Sequence, residues 1–183
     1  MIKILFFIII SIGNIYFSRT ALRAPRSHGF YRFFAWEFML ALLVLNIDRW
    51  LTNPFAWHQI ISWLLLIASI IPLVFGVHAL VSRGKPVKHR EDDAHLLAFE
   101  KTTTLVTTGI YHWIRHPLYS SLLFLTWGTF FKAPALIGTF LALAATLFLI
   151  ATAKADEAEC IRFFGTSYQE YMQKSKRFVP FLF

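Results

Sequence analysis

Charge is what this sequence has least of. Charged residues make up 15% of its 183 positions, where a soluble domain of this length carries about 25%. Acidic groups are the scarcer sign, with 10 Asp and Glu against 18 Lys and Arg and a net charge of +8. Cysteine is nearly absent. The lone Cys160 excludes an intramolecular disulfide and a cysteine-based metal cluster. A pI near 9.9 would suit a nucleic-acid partner, but the basic residues fall in the gaps between apolar runs, as in membrane loops, so nucleic-acid binding is not expected.

What is abundant is apolar. Hydrophobic residues make up 57% of the chain and mean hydropathy is +0.56. They are blocked rather than periodic, which makes the bilayer the natural solvent. Five apolar runs cover about 2–17, 30–47, 58–81, 118–131 and 133–153. A spanning helix needs roughly 20 apolar residues, so the first run is marginal and the fourth short. Lys132, Ala133 and Pro134 separate the last two, a connection that forces an antiparallel helical hairpin. Pro72 inside the third run removes a backbone donor and is expected to kink that helix. The first run also resembles a signal peptide with Lys3 as its charged start, but no small-residue cleavage pattern follows it.

The gaps set an orientation. Arg19, Arg23, Arg26 and Arg32 follow the first run; Arg49 follows the second; Arg83, Lys85, Lys88, Arg90 and Lys101 the third; Lys132 the fourth. The tail holds Lys154, Arg162, Lys174, Lys176 and Arg177. Dense and sparse gaps alternate, which places the N-terminus outside and residues 83–117 and 154–183 on the cytoplasmic side. The expected architecture is all-α: a polytopic membrane protein with about five transmembrane helices, the last two a short hairpin, plus a C-terminal cytoplasmic helix. It forms one domain over 1–183, with three helices in 1–82 and the polar loop, hairpin and tail in 83–183.

Two polar stretches flank the hairpin. "TGIYHWIRHPLYSSLLF" (107–123) passes from a turn through Arg115 and His116 straight into an apolar helix. The tail "KADEAECIRFFGTSYQEYMQKSKRFVPFLF" is helix-compatible over 153–164, breaks at Gly165, and then places Tyr168 and Tyr171 on one helical face. Asp156 and Glu157 stand where the fifth run leaves the membrane, a costly depth for a carboxylate without a partner. Arg115 is the natural partner, and two roles remain open: a lock on a helix end, or a ligand site. His58 and His78 are isolated on apolar runs and read as interface residues. His28, His89 and His95 read as solvated loop residues, as does the acidic run Glu91, Asp92, Asp93. No histidine pair has metal-ligand spacing, so no metal is expected.

"LVTTGIYHWIRHPLY", a short hairpin and "DEAECIRFFGTSYQEYMQKSKRFVP" together resemble the isoprenylcysteine carboxyl methyltransferase family and the related phospholipid methyltransferases, whose pattern is G-x-Y-x-x-x-R-H-P-x-Y, a hairpin, then E-E-x-x-L-x-x-x-F-G-x-x-Y-x-x-Y. The likeness covers about residues 102–180. It implies an integral membrane enzyme that binds S-adenosyl-L-methionine on the cytoplasmic side. By this resemblance the cofactor residues are Thr103, Thr104, Leu105, Val106, Tyr111, His116, Pro117, Leu118, Tyr119, Asp156 and Glu157, and Arg115, His116 and Glu157 are the catalytic candidates. Their chemistry suits the cofactor. A tyrosine can stack on adenine or face the sulfonium, a carboxylate can receive the ammonium, and Arg115 with His116 can hold the cofactor carboxylate or fix the acidic pair.

The chain departs from the pattern in three places. Asp156 stands where Glu is usual, Cys160 where Leu is usual, and Thr152 where the eukaryotic prenylcysteine enzymes carry an arginine for the substrate carboxylate, with Lys154 as the nearest substitute. The chain otherwise resembles the short microbial members, which implies a bacterial or archaeal cell membrane. The expected acceptor is lipophilic or lipidated, with an isoprenylcysteine-type carboxylate, a phospholipid amine and a thiol all open, and membrane lipids are the expected surroundings. The oligomeric state is left open. Two other readings compete: an NADPH-dependent membrane reductase related to sterol reductases, and a non-catalytic membrane subunit.

Overall fold

A computed structural model describes residues 1–87, 97 and 100–180. The run Glu91 to Asp93, with Lys88, His89, Arg90 and His95, lies outside the described residues. Seven α-helices follow in order: α1 (Ile2–Phe17), α2 (Arg19–Leu22), α3 (His28–Asn46), α4 (Trp57–Arg83), α5 (Pro117–Phe130), α6 (Leu136–Phe164) and α7 (Thr166–Lys174). Short 3-10 turns occupy Ile47–Arg49 and Gly109–His112. Among the described residues there is no strand, only isolated bridges at Pro86–Thr102 and Ile114–Lys176.

Among the described residues, three segments are long and apolar enough to cross a membrane: His28–Arg49, Trp57–Arg83 and Leu136–Phe164. At 16 and 14 residues, α1 and α5 are shorter. The faces are arranged for an apolar solvent. Ile67, Ile70, Ile71, Val74 and Phe75 of α4 are exposed, while the buried faces carry small or hydroxylated side chains, as expected where close backbone approach replaces hydrophobic burial. Along α6, Ala142, Ala145, Leu149, Thr152 and Ala153 are fully buried, at a helical spacing that turns one stripe inward. Phe34 and Phe38 of α3 stack on Phe148 of α6 at 5.2 and 5.6 Å.

The second main pair is α4 with α5. Ser62 donates to the carbonyl of Gly128 at 2.6 Å, and a Cβ on Gly128 would sit 2.9 Å from the Leu66 side chain. Pro72 is buried inside α4, and the helix continues through it. Among the described residues, one carboxylate lies within the apolar part of a membrane-length helix without a cation beside it. Glu37 of α3 accepts from Ser11 and Asn14 of α1 at 2.6 and 2.7 Å, the kind of polar pairing that binds one helix to another in lipid.

The connections sort to two ends. At one, Lys3 pairs with Asp48, and Gln59 donates to the carbonyls of Arg49 and Lys132. At the other, the N–H groups of Thr103 and Thr104 reach the Gly84 carbonyl at 3.0 and 3.1 Å, and Arg83 donates to Thr108 at 2.7 Å. Arg32, expected in a loop, instead lies in the first turns of α3, 5% exposed.

The tight α4–α5 seam yields a test. Gly128→Val should lower stability by about 1–3 kcal/mol, because Leu66 approaches through its backbone nitrogen (3.1 Å) as well as its side chain. Thermal unfolding in detergent reads it, and an unchanged melting temperature would mean that the seam is looser than this packing.

Candidate functional site

The site begins with a helix that starts too deep. Pro117 at the first position of α5 suits a helix start, since its missing N–H would be unpaired there. Pro117 abuts Gly76 of α4, where a Cβ would lie 3.0 Å from the proline ring. Gly76 is seven residues before the end of α4 at Arg83, so the start of α5 lies roughly 10 Å below that end at 1.5 Å per residue. The recess this leaves is walled by α6 and roofed by α7 and the tail.

The roof is fastened by hydrogen bonds. The N–H groups of Arg115 and His116 donate to the carbonyls of Lys176 and Arg177 at 2.7 and 3.1 Å, and Lys176 N–H returns to the Trp113 carbonyl at 3.0 Å. Gly165, at φ 64°, turns the chain from α6 into α7. Tyr168 and Tyr171 are then the buried face of α7, and Tyr171 donates to the Tyr111 carbonyl at 2.6 Å. Burial pushes the phenols of Tyr111 and Tyr171 above their usual pKa, so both stay neutral.

Glu157 is the centre of the fastening. It is 4% exposed and accepts from Arg115 Nε at 3.0 Å and from Arg177 at 3.1 and 2.8 Å. His116 Nε2 lies 3.3 Å away. The other face of the imidazole, Nδ1, is 3.3 Å from Asp156, and the ring stacks on Tyr119 with centroids 5.3 Å apart. Burial opposes a charge on His116, but hydrogen bonds to Asp156 and Glu157 outweigh it and raise its pKa. Arg115 also donates through Nη1 to the Met172 and Ser175 carbonyls. Arg115 thus ties three elements together and also lines the cavity described below.

A second polar network forms the opposite wall. His28, expected in solvent, is 1% exposed, because the start of α3 packs against α6. Its Nδ1 is 2.6 Å from Glu159, which also accepts its backbone N–H, and its Nε2 is 3.8 Å from Glu100. Arg32 donates to both oxygens of Glu100 at 2.9 Å. Burial would raise the Glu100 pKa, but the Arg32 charge and His28 override it and hold that carboxyl down to about 2. No metal pair was visible in the sequence spacing, yet the fold gathers ligand atoms of His28, Asp156 and Glu159 within 4.8 Å of one another. The hydrogen bonds of His28 make Glu159 its counter-charge.

Between the two networks lies a cavity with ≈ 800 Å³ of empty space, its open mouth included. Of the residues singled out from the sequence, Leu105, Val106, Tyr111, Arg115, His116, Leu118, Tyr119 and Asp156 line it. Thr103, Thr104, Pro117 and Glu157 are not in its lining. Thr103 and Thr104 are exposed on the end of α4, and Glu157 is turned to the two arginines. The sequence reading missed Glu100 and Glu159 and assigned no site role to Tyr168 or Tyr171, all four of which line the cavity. Glu159 was within reach, since it lies three residues after Asp156 and so shares its helix face.

The electrostatics of the wall predict an acid limb. A carboxyl at about 2, against an ordinary 4.5, contributes stability that is complete above about pH 4.5 and lost as pH falls toward 2. Glu100→Gln should therefore lower stability at pH 7 and flatten its decline between pH 4.5 and 2. A mutant whose melting temperature falls in parallel with the wild type over that window would contradict the assignment.

Comparison with known proteins agrees with this layout. The profile of the phospholipid methyltransferase family matches residues 91–167, the stretch that holds most of the recess lining, the hairpin and the acidic turn. The protein-S-isoprenylcysteine O-methyltransferase of Homo sapiens is 29% identical over 171 residues, 89% of this chain and 59% of that protein. Its counterpart in Schizosaccharomyces pombe is 26% identical over 159 residues, 79% of this chain and 67% of that protein. The Tribolium castaneum protein of the same name is 33% identical over 92 residues, 48% of this chain and 32% of that protein. The chain thus spans about three fifths of the length of the human relative. With its two motif halves in that family's order and brought to one cavity, the chain is similar to the phospholipid methyltransferase family over residues 91–167 and to the protein-S-isoprenylcysteine O-methyltransferases over most of its length.

Proposed function

We propose that this chain transfers a methyl group from S-adenosylmethionine to a lipophilic acceptor at the boundary of membrane and water. The observation that carries the reading is the cavity lining, which combines carboxylates (Glu100, Asp156, Glu159) with tyrosine rings (Tyr111, Tyr119, Tyr168, Tyr171) and an apolar wall. That set suits a compact cation with an aromatic base. Among the described residues, Asp156 faces His116 and the weak Cys160 thiol as neighbouring donors, so it keeps acceptor capacity for an ammonium group. The tyrosines offer faces for an adenine ring and a sulfonium. When bound, the cofactor supplies an electrophilic methyl group on a positively charged sulfur.

The protein's part is then positioning. In-line transfer draws most of its acceleration from alignment, which a roof tied down at Glu157 provides. His116 has Nδ1 against Asp156 and Nε2 against Glu157, so both ring nitrogens are engaged by protein carboxylates and neither is placed to take a proton from an acceptor. This favours an acceptor that is already ionised, a carboxylate or thiolate, over an amine that must first lose a proton. An isoprenylcysteine-type carboxylate, the acceptor in the relatives' name, fits that preference. Thr152 does not serve as its anchor, being fully buried with its hydroxyl on the Phe148 carbonyl. An NADPH-dependent reductase fits less well, because the basic lining residues, Arg115 and His116, are both committed to acids.

The arrangement in the membrane belongs to the same proposal. Five helices cross, α1 and α5 included, with the N-terminus outside and α7 covering a cytoplasmic mouth in a bacterial or archaeal cell membrane. The two-ended sorting of the connections supports this, and so do the alternating basic gaps.

Calorimetric titration of the solubilised chain with S-adenosylhomocysteine and with NADPH tests the cofactor. S-adenosylhomocysteine should bind and NADPH should not, and Asp156→Asn should weaken binding by roughly 1–3 kcal/mol. Binding of NADPH alone would overturn the reading. For the topology, reporters fused at residue 50 and at the C-terminus should report opposite sides, and agreement between them would sink the five-helix arrangement. For the acceptor, radiolabelled methyl transfer in liposomes should rise with the acceptor's tail length, since the bilayer concentrates an apolar tail by about 0.8 kcal/mol per methylene. Equal transfer to a tailless acceptor would rule out entry from the membrane.

A further inference from the structure

At the end of the bundle opposite the cavity, a lysine is buried without an ion-pair partner. Lys132, between α5 and α6, is 1% exposed. Its ammonium lies 3.4 Å from the centroid of Trp63 and 5.3 Å from that of Trp50. It donates to Gln59 Oε1 at 3.1 Å and, more weakly, to the Trp50 carbonyl at 3.5 Å. Neutral oxygens and ring faces solvate the charge, but among the described residues no carboxylate neutralises it. Asp48, the acid nearest in sequence at this end, is taken by Lys3. A buried charge left uncompensated is costly.

Three further features converge there. Lys132 and Gln59 line a recess of ≈ 750 Å³, open mouth included, together with Arg49, His58 and Asn53. The side chain of Arg49 is exposed and has no protein partner among the described residues. The first residues of α4, Trp57 to Gln59, border the same recess, and no side chain caps them. Their N–H groups carry the positive end of a 27-residue helix. In the same cluster, Trp50 Nε1 is buried without an acceptor, an uncommon state for a native donor.

We propose that this recess binds the phosphate group of an anionic membrane lipid. A phosphate diester supplies the missing negative charge and accepts from Arg49 and from the helix N-terminus. The lipid source follows from the rim. Trp57, which lines the recess, and Leu51 and Phe55, in the same connection as the lining residues Thr52 and Asn53, are 66%, 79% and 89% exposed, apolar and aromatic groups suited to the headgroup level and the first acyl carbons. Gln59 and the cavity residue Leu80 are 21 positions apart on α4, roughly 30 Å. The recess is therefore separate from the candidate cofactor site.

The test uses the full chain in a neutral detergent, with phosphatidylglycerol, phosphatidylcholine and inorganic phosphate as probes. Phosphatidylglycerol should raise the melting temperature by a few degrees, and native mass spectrometry should show it retained. Phosphatidylcholine and inorganic phosphate at equal concentration should not do so. Arg49→Gln, at an exposed position, should cut the phosphatidylglycerol shift by about half or more while leaving S-adenosylhomocysteine binding unchanged. Lys132→Met should abolish the shift, and if that variant does not fold, Arg49→Gln decides alone. A full shift in Arg49→Gln, or an equal shift with phosphatidylcholine, overturns the site. An equal shift with inorganic phosphate overturns the lipid as its occupant.

Discussion

One carboxylate, Glu157, joins the threshold of α5, the helix α6 and the tail on one side of the candidate site. It sits on α6, receives Arg115 and His116 from the threshold of α5, and receives Arg177 from the tail. Those contacts set the depth at which α5 begins and hold α7 over the recess. Two guanidinium groups and an imidazole around one acid would be mutually repulsive without it. Removing the acid takes away the counter-charge that Arg115 and Arg177 share, which costs more than the net worth of the pairs themselves. The carboxylate that the family pattern marks second in its acidic pair thus acts here by building the chamber, while its neighbour Asp156 faces the cavity.

The cavity also depends on solvents of two kinds. The helices expose Ile, Leu and Phe and bury Ala, Ser and Thr, so lipid rather than water sets their outer faces. The polar networks are confined to the helix ends, apart from Glu37 with its two α1 donors. The proposed reaction, between a charged donor and an apolar acceptor, needs such a boundary, and the recessed start of α5 brings the boundary inside the protein.

Much of this was legible in the sequence, for local reasons. Apolar runs place the helices to within a few residues, because spanning length and flanking charge are local properties. Gly165 announced its break, and a positive φ is what the turn requires. The tyrosine pair on α7 followed from helical spacing. What could not be read were contacts made at long range. His28 looked like a loop residue and proved buried against Glu159, 131 positions away. Glu100 carried no local signal, since its role comes from Arg32 across 68 positions. Lys132 looked like a hairpin turn residue, and only the fold surrounds it with Trp50 and Trp63. Thr103 and Thr104 came into the expected site through resemblance, and the loop geometry places them on the end of α4 instead.

The dependence of the chamber on Glu157 can be read by amide hydrogen exchange in Glu157→Gln, compared with the wild-type chain in the same detergent. Faster exchange should appear at residues 114–116 and 168–178, whose hydrogen bonds form the roof, with α3 and the membrane-length part of α4 unchanged. S-adenosylhomocysteine should restore little of the lost protection, because the chamber it would occupy is no longer closed. Undiminished protection of residues 168–178 in the mutant would contradict the account, for the roof would then be held by something other than the acid on α6.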